Sequence, residues 1–384
     1  MSQCRRWRIA VLNRHFGKRY GGAEHYSAAI VEQLAPLHDV HVFAQEIEHS
    51  FPNVNYHKVS KPFNRPRWIN QLWFAMITWM LTRRGFDIVH SHENTWHGDV
   101  QTIHVRPFRA GLFYGKTGWR RSLVWLKLLT SPRLLTYWWL EWARMRPMPN
   151  RKIVATSEVV KQEILNTYPL VASILYAIPP GVKLPSITPN KQTLRHQLGL
   201  NSESKLALFI GNDYIKKGLP TLLRAMVNVE NLHVAVVGDT RHKAICLQQA
   251  QSLGIEARVH FLGSLENVET AYASADLLVH PTTEDTYGMV VLEAMAYGLP
   301  VIVSGRKYCG ITADLSNGRE AMILDDPTDA NQLGQLIHEL ISDIENERRL
   351  IIHGKQFAKE RSWYIRMEKH HEIFNQIATQ AGIR

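Results

Sequence analysis

Two doubly wound α/β domains, each a parallel sheet covered by helices on both faces and opening on a common cleft, are the architecture this sequence predicts. Three observations predict it. Apolar runs of four to six residues alternate with helical patterns, as parallel strands buried on both faces require. The alternation restarts after a proline-rich loop at 178–189. The length, 384 residues, suits two domains at roughly 150 residues each.

Residues 8–13 (RIAVLN) read as the first strand, and 23–34 as a helix stopped by Pro36. Strands follow at 40–44 and 87–90, with a helical stretch at 69–81 between them. Residues 153–156 form another buried strand, and 158–167 a helix. Beyond the loop, 205–211 (KLALFIG) is a strand and 220–227 a helix. Further strands are expected at 233–238, 259–263, 277–280 and 301–304. Residues 288–297 form a helix with Gly298 as its stop and Pro300 beyond.

Composition narrows the class. With 45% hydrophobic and 21% charged residues the chain is too apolar to be disordered. Cys4, Cys246 and Cys309 are odd in number and far apart, which argues against a disulfide framework or a structural zinc and for a cytoplasmic setting. The most apolar run, 72–81, is half the ~20 residues a spanning helix needs, and the N-terminal apolar core at 9–12 is too short for a signal peptide. Of the net charge of +11, the segment 106–152 holds +10: eleven Arg or Lys against one acid, Glu141. It also holds Trp119, Trp125, Trp138, Trp139 and Trp142. A basic segment interleaved with Trp suits an anionic membrane surface or an anionic saccharide. The alternative is an aromatic core beneath a solvated basic face. No nucleic-acid signature accompanies the charge, so no nucleic-acid partner is expected.

Ligands of doubly wound sheets bind beyond the carboxyl ends of the strands, so the loops there carry the candidates. Glu293 is the one charge on the apolar helix 288–297. It is expected to accept ligand hydroxyls, or else to meet backbone amides or a distant Arg. Asp285 precedes it with seven residues between, near the helix's free amides, where phosphate also binds. Lys216 and Lys217 lie in GNDYIKKG (211–218), between a strand and a helix, placed to meet a diphosphate. Gly21 and Gly22 in RYGGAE (19–24) permit close backbone approach before the first helix, without the Gly-x-Gly-x-x-Gly dinucleotide pattern. The Walker-like AGLFYGKT (110–117) is rejected, because Pro107 and two arginines replace the buried strand such a loop must follow. Neither a His-Glu-x-x-His nor an Asp-x-Asp pair is present, and no metal site is expected.

In order and content these motifs resemble the retaining nucleotide-sugar glycosyltransferases of family 4, which have the two-domain GT-B fold. The resemblance rests on Gly21, Gly22 and Glu24; on Thr102, Ile103 and His104 at a strand end; and on Ser157 with Lys161. It continues through Pro179, Gly181 and Val182, then Lys217 and Gly218. Most specific is the acidic residue, seven residues and Glu that lead into Glu293-Ala-Met-Ala-x-Gly-x-Pro300. It implies an acceptor domain at 1–178, a nucleotide-sugar domain at 179–359, and a C-terminal helix at about 360–384 packing back on the first. Glu293 then resembles the ribose-binding glutamate, Lys217 with the Gly22 backbone the diphosphate clamp, and His104 the histidine beside the sugar.

Catalysis is thereby expected from His104, Asp285 and Lys217. Donor binding is expected from Gly21, Gly22, Lys216, Lys217, Glu284, Tyr287, Gly288, Met289, Val290 and Glu293. The family implies retention by same-face attack, with the leaving phosphate as base, and no metal or other cofactor beyond the nucleotide-sugar donor. Two departures stand out. The family's first acid is Glu, whereas here it is Asp285 beside Glu284, and either could touch the sugar. The family's Arg after the strand glycine is Asn212, so Lys216 is expected to supply that charge. The overall expectation is a UDP-hexose transferase acting on a saccharide or lipid-linked acceptor such as lipopolysaccharide core, held peripherally at the inner face of the cytoplasmic membrane through 106–152. A nucleotide-sugar epimerase or phosphorylase of the same fold, or a non-catalytic basic lipid- or nucleic-acid-binding protein, are the alternatives.

Overall fold

The computed structural model describes residues 6–17, 22–63, 65–113, 115–186, 190–200, 204–265, 267–380 and 382. The chain divides into two units, Met1–Gly181 with Trp363–Arg384, and Val182–Ser362.

In the first unit the strands are β1 (Arg8–Leu12), β2 (His15–Phe16), β3 (Asp39–Ala44), β4 (Glu46–Ile47), β5 (Val54–Lys58), β6 (Ile88–Ser91), β7 (Val100–Ile103), β8 (Lys152–Ala155) and β9 (Leu175–Ala177). Seven form one parallel sheet in the order β5-β3-β1-β6-β7-β8-β9, while β2 and β4 pair separately. The strands expected at 8–13, 40–44, 87–90 and 153–156 are present. β5 escaped prediction because its Asn55, His57 and Lys58 break the apolar run, as an edge strand allows. β9 is only three residues long. The helix Trp363–Gln380 buries Met367, Ile373, Phe374 and Ile377 in one cluster with Ile9, Val11, Val40 and Ile88, so the end of the chain completes the core of its beginning.

The basic segment folds as three helices, Phe108–Phe113, Trp119–Thr130 and Pro132–Arg144. Ser131 caps the last by accepting from the Leu134 amide at 3.4 Å, with Pro132 at its first position. Glu141, the segment's single acid, is buried: it accepts from the amides of Phe108 and Arg109 and from the Tyr168 hydroxyl (2.8 Å). With that acid turned inward, the charges exposed between 108 and 146 are all positive. None of the five tryptophans is buried; Trp119 is 71% exposed, and Leu126 and Leu129 are 59% and 66% exposed beside it. The aromatic-core alternative is thereby disfavoured. No helix of the described residues is long and apolar enough to cross a membrane.

In the second unit, β10 (Lys205–Ile210), β11 (Leu232–Val237), β12 (Val259–Gly263), β13 (Leu277–His280), β14 (Val301–Ser304) and β15 (Met322–Leu324) form a parallel sheet ordered β12-β11-β10-β13-β14-β15. One apolar cluster covers each face, as a doubly wound sheet demands. The order reverses between β10 and β13, which pair directly through Ala207–Leu277 and Leu208–Leu278. The loops leaving these two strands, 211–218 and 281–288, therefore emerge side by side, where such sheets bind ligands.

Candidate functional site in the second unit

Sequence distance hides the proximity of the two loops. The Lys216 carbonyl accepts from the Thr283 amide at 2.8 Å and from the hydroxyls of Thr282 (3.2 Å) and Thr283 (3.0 Å). Gly218, at φ +84°, brings its Cα so close to this loop that an added Cβ would lie 1.9 Å from the Pro281 carbonyl oxygen. Only glycine serves there.

This lacing sets Lys217 Nζ 2.6 Å from Asp285 Oδ2 and 3.3 Å from the Glu284 carbonyl. His280, at the end of β13, places Nε2 3.1 Å from the same Oδ2. The other oxygen, Oδ1, accepts from the amides of Tyr287 (3.2 Å) and Gly288 (2.9 Å). Burial alone would raise the Asp285 pKa, but the hydrogen bond and charge of His280, with those of Lys217, hold it well below the usual carboxylate range. Asp285 is thus a fixed anion organising Lys217, His280 and the helix entrance. Glu284 points elsewhere: its carboxylate is exposed and reaches Lys216 Nζ at 3.4 Å. Of the two acids, Asp285 is the one built into the site.

The helix Met289–Tyr297 starts from Gly288 at φ +92° and ends at Gly298 at φ +78°, as its sequence requires. A Cβ on Gly288 would come within 2.6 Å of Cys309 Sγ. The amides of Met289 and Val290 in its first turn have no hydrogen-bond acceptor among the described residues, and they carry the positive end of the helix dipole. Tyr287 is buried just before it. Glu293 is partly buried, and its partner is neither a backbone amide nor an arginine. The Tyr272 hydroxyl donates to Glu293 Oε2 at 2.6 Å. Burial raises the Glu293 pKa, and the Tyr272 bond offsets part of that rise. Lys216, Lys217, Glu284, Asp285, Tyr287, Gly288, Met289, Val290 and Glu293 accordingly belong to this one unit and share its β10–β13 edge or the helix that follows.

The remaining candidates belong to the first unit. Gly22 opens the helix Gly22–Leu34, and Gly21 lies outside the described residues. His104 follows β7, with Nε2 3.1 Å from His92 Nδ1 and its ring edge-on to Tyr26. Burial, with the nearby Arg144 charge, pulls its pKa down to about 3, so His104 is a neutral imidazole at physiological pH. Sequence reasoning missed His280, Tyr272, His92 and Arg144. A polar residue closing an apolar strand was the available signal for His280; the other three carried none.

The residues that meet here match known proteins along nearly the whole chain. Residues 20–184 match the family described as Glycosyltransferase Family 4, and 190–357 match Glycosyl transferases group 1. The chain belongs to the group 1, family 4 glycosyltransferases. The lipopolysaccharide glucosyltransferase WaaG of Escherichia coli K12 is 27% identical over 207 residues, 51% of this chain and 54% of WaaG. A D-inositol 3-phosphate glycosyltransferase of Corynebacterium jeikeium is 27% identical over 247 residues, 59% of this chain and 57% of its own length. The alignments thus span about half the length of these curated relatives. Among solved structures, WaaG superposes with a TM-score of 0.78 at 21% identity, covering 95% of this chain and 99% of WaaG. Anabaena HepE in complex with UDP and glucose gives 0.72 at 16% identity, covering 96% and 99%. Both share the GT-B fold of this glycosyltransferase.

Proposed function

We propose that this glycosyltransferase moves a hexose from a UDP-sugar to a cell-envelope glycan of the lipopolysaccharide-core type, with retention, at the inner face of the cytoplasmic membrane. The observation that carries the donor half is the constellation at the β10–β13 switch: Lys217 held by Asp285, with the open amides of Met289 and Val290 beside it. A diphosphate entering there meets preorganised positive charge, and that charge stabilises the leaving group as the glycosidic bond breaks. The proposal needs no metal cofactor, because Lys216, Lys217 and the helix amides neutralise the phosphates. Glu293 takes the ribose hydroxyls, and His104 serves as a neutral imidazole toward the transferred sugar. HepE, described in complex with UDP and glucose, supports uracil as the base and a hexose as the cargo.

The acceptor half rests on the exposed Trp and Leu of 119–142 among uniformly positive charges, which suit an anionic bilayer carrying a lipid-linked glycan. WaaG, described as a lipopolysaccharide glucosyltransferase, supports that choice. The inositol 3-phosphate transferases support a second reading, a small phosphorylated acceptor. Thermal shift with UDP, GDP, ADP, CMP and NAD tests the donor. At 100 times its Kd a ligand stabilises a fold by about 2.7 kcal/mol, so UDP should raise the melting temperature and Glu293→Ala should remove most of the rise. A shift with NAD alone, or with none of the five, would end the transferase reading. Transfer from radiolabelled UDP-glucose to extracted lipopolysaccharide core against inositol 3-phosphate then separates the acceptors.

A further inference from the structure

Glu293 can serve as a ribose acceptor only if its carboxylate is presented in one orientation, and the structure shows what presents it. Tyr272 is buried in the helix Glu269–Ser274, and its hydroxyl donates to Glu293 Oε2 at 2.6 Å. A phenol has one proton, so Tyr272 acts on Glu293 purely as a donor. It occupies one lone pair of Oε2 and leaves Oε1, which has no partner among the described residues, open. Its ring is fixed by stacking on Tyr297, with centroids 5.3 Å apart and planes at 15°. Tyr297 closes the helix that carries Glu293, so this ring contact and the Tyr272–Glu293 bond join the same two helices.

We infer that Tyr272 is a positioning residue for donor recognition: it holds the Glu293 carboxylate aimed so that its free oxygen receives a ribose hydroxyl. The inference rests on the ribose role proposed for Glu293. A vicinal diol needs acceptors at fixed spacing, and a carboxylate free to rotate about its terminal torsion would offer them only part of the time. Tyr272 removes that freedom from a buried position on the neighbouring helix. A purely structural bond between helices would contribute to stability and would be blind to the ribose hydroxyls.

The test measures Kd by calorimetry for UDP and 2′-deoxy-UDP on the full chain, and compares wild type with Tyr272→Phe, Glu293→Ala and Tyr297→Phe. Phe fills the space of Tyr272 without leaving a cavity, so the fold is retained, and a thermal melt checks it. Wild type should prefer UDP by tenfold or more. Tyr272→Phe should reduce that preference at least threefold, and Glu293→Ala should reduce it to near unity. Tyr297→Phe keeps the ring stacked on Tyr272, removes only a hydroxyl from the same helix contact, and should leave the ratio unchanged. Full wild-type discrimination in Tyr272→Phe, alongside its loss in Glu293→Ala, overturns the positioning role alone. Discrimination that survives Glu293→Ala, or is absent from wild type, overturns the ribose reading and this inference with it.

Discussion

Replacing Lys217 by Ala isolates the charge on which the donor proposal depends. In the free protein Lys217 Nζ lies 2.6 Å from Asp285, with the two side chains 23% and 18% exposed. Breaking a fully buried pair costs 3–5 kcal/mol and an exposed one about 0–1. Asp285 keeps His280 and the amides of Tyr287 and Gly288, so the loss of stability should be modest, about 1–2 kcal/mol. Binding should suffer more. A unit charge pair at 4 Å with an effective dielectric of 20 gives about 4 kcal/mol before desolvation. Because Lys217 must share itself between Asp285 and the incoming phosphate, about half of that, ~2 kcal/mol, should reach the affinity, which is roughly thirtyfold in Kd. Calorimetry with UDP and with uridine reads the effect cleanly, since uridine has no phosphate for the lysine to find. UDP should weaken about thirtyfold and uridine should not change. A UDP affinity within threefold of wild type, or an equal loss for uridine, would refute the diphosphate role.

Other consequences follow from the same geometry. Asp285 has a depressed folded-state pKa, so its ionisation stabilises the protein above the unfolded carboxylate value near 4, and that stability drains away as pH falls towards the folded value. The stability gap between wild type and Asp285→Asn in urea melts should be constant from pH 7 to 5 and shrink below pH 4; a gap that widens there contradicts the assignment. His90, His92, His104 and His370 form a neutral cluster, with burial the first cause of each lowered pKa; His104 and His370 come down to about 3. The unfolded chain takes up protons below pH 6.5 that this cluster refuses, so stability should fall on acidification by about 1.4 kcal/mol per pH unit per histidine. His370→Gln, which keeps a donor for Tyr26, should lessen that slope, and an unaltered slope would exclude it from the cluster's titration. Gly218→Ala should destabilise by more than 2 kcal/mol in denaturant melts, because its Cβ would collide with the Pro281 carbonyl; a neutral result would mean the two loops separate freely. Trp119→Ala with Leu129→Ala should lower co-sedimentation with phosphatidylglycerol-containing vesicles by tenfold or more, about 1–2 kcal/mol per side chain, and undiminished binding would remove these side chains from the membrane contact.

Much of the site could be read directly from residues. Lys217, Asp285 and Glu293 stood out because each places charge or its partner at a strand end or on an otherwise apolar helix. That is a local property of the chain. Gly288 and Gly298 marked the helix ends for the same reason, since backbone conformations at φ +92° and +78° leave few residues to choose from. The short strands β5 and β9 were missed where polar residues or brevity erased the period, and the three helices of 108–144 were read only as charge and tryptophan. The question between Glu284 and Asp285 also stayed open in one dimension, because adjacent acids differ only in where the loop turns them.

The sequence by itself determined the two doubly wound sheets, because a buried parallel strand must be continuously apolar and a crossing helix must follow it. It also determined the concentration of positive charge and tryptophan in 106–152. Tertiary structure alone decided which groups meet. The β10–β13 switch brings Lys217 to Asp285 across 68 residues, and the helix pairing brings Tyr272 to Glu293 across 21. It also turned Glu141 inward, leaving the segment's surface wholly cationic. Periodicity specifies which face of an element is buried, but partners across a fold are chosen by how the elements stack. That choice is made by the whole core at once and is written in no single stretch of chain.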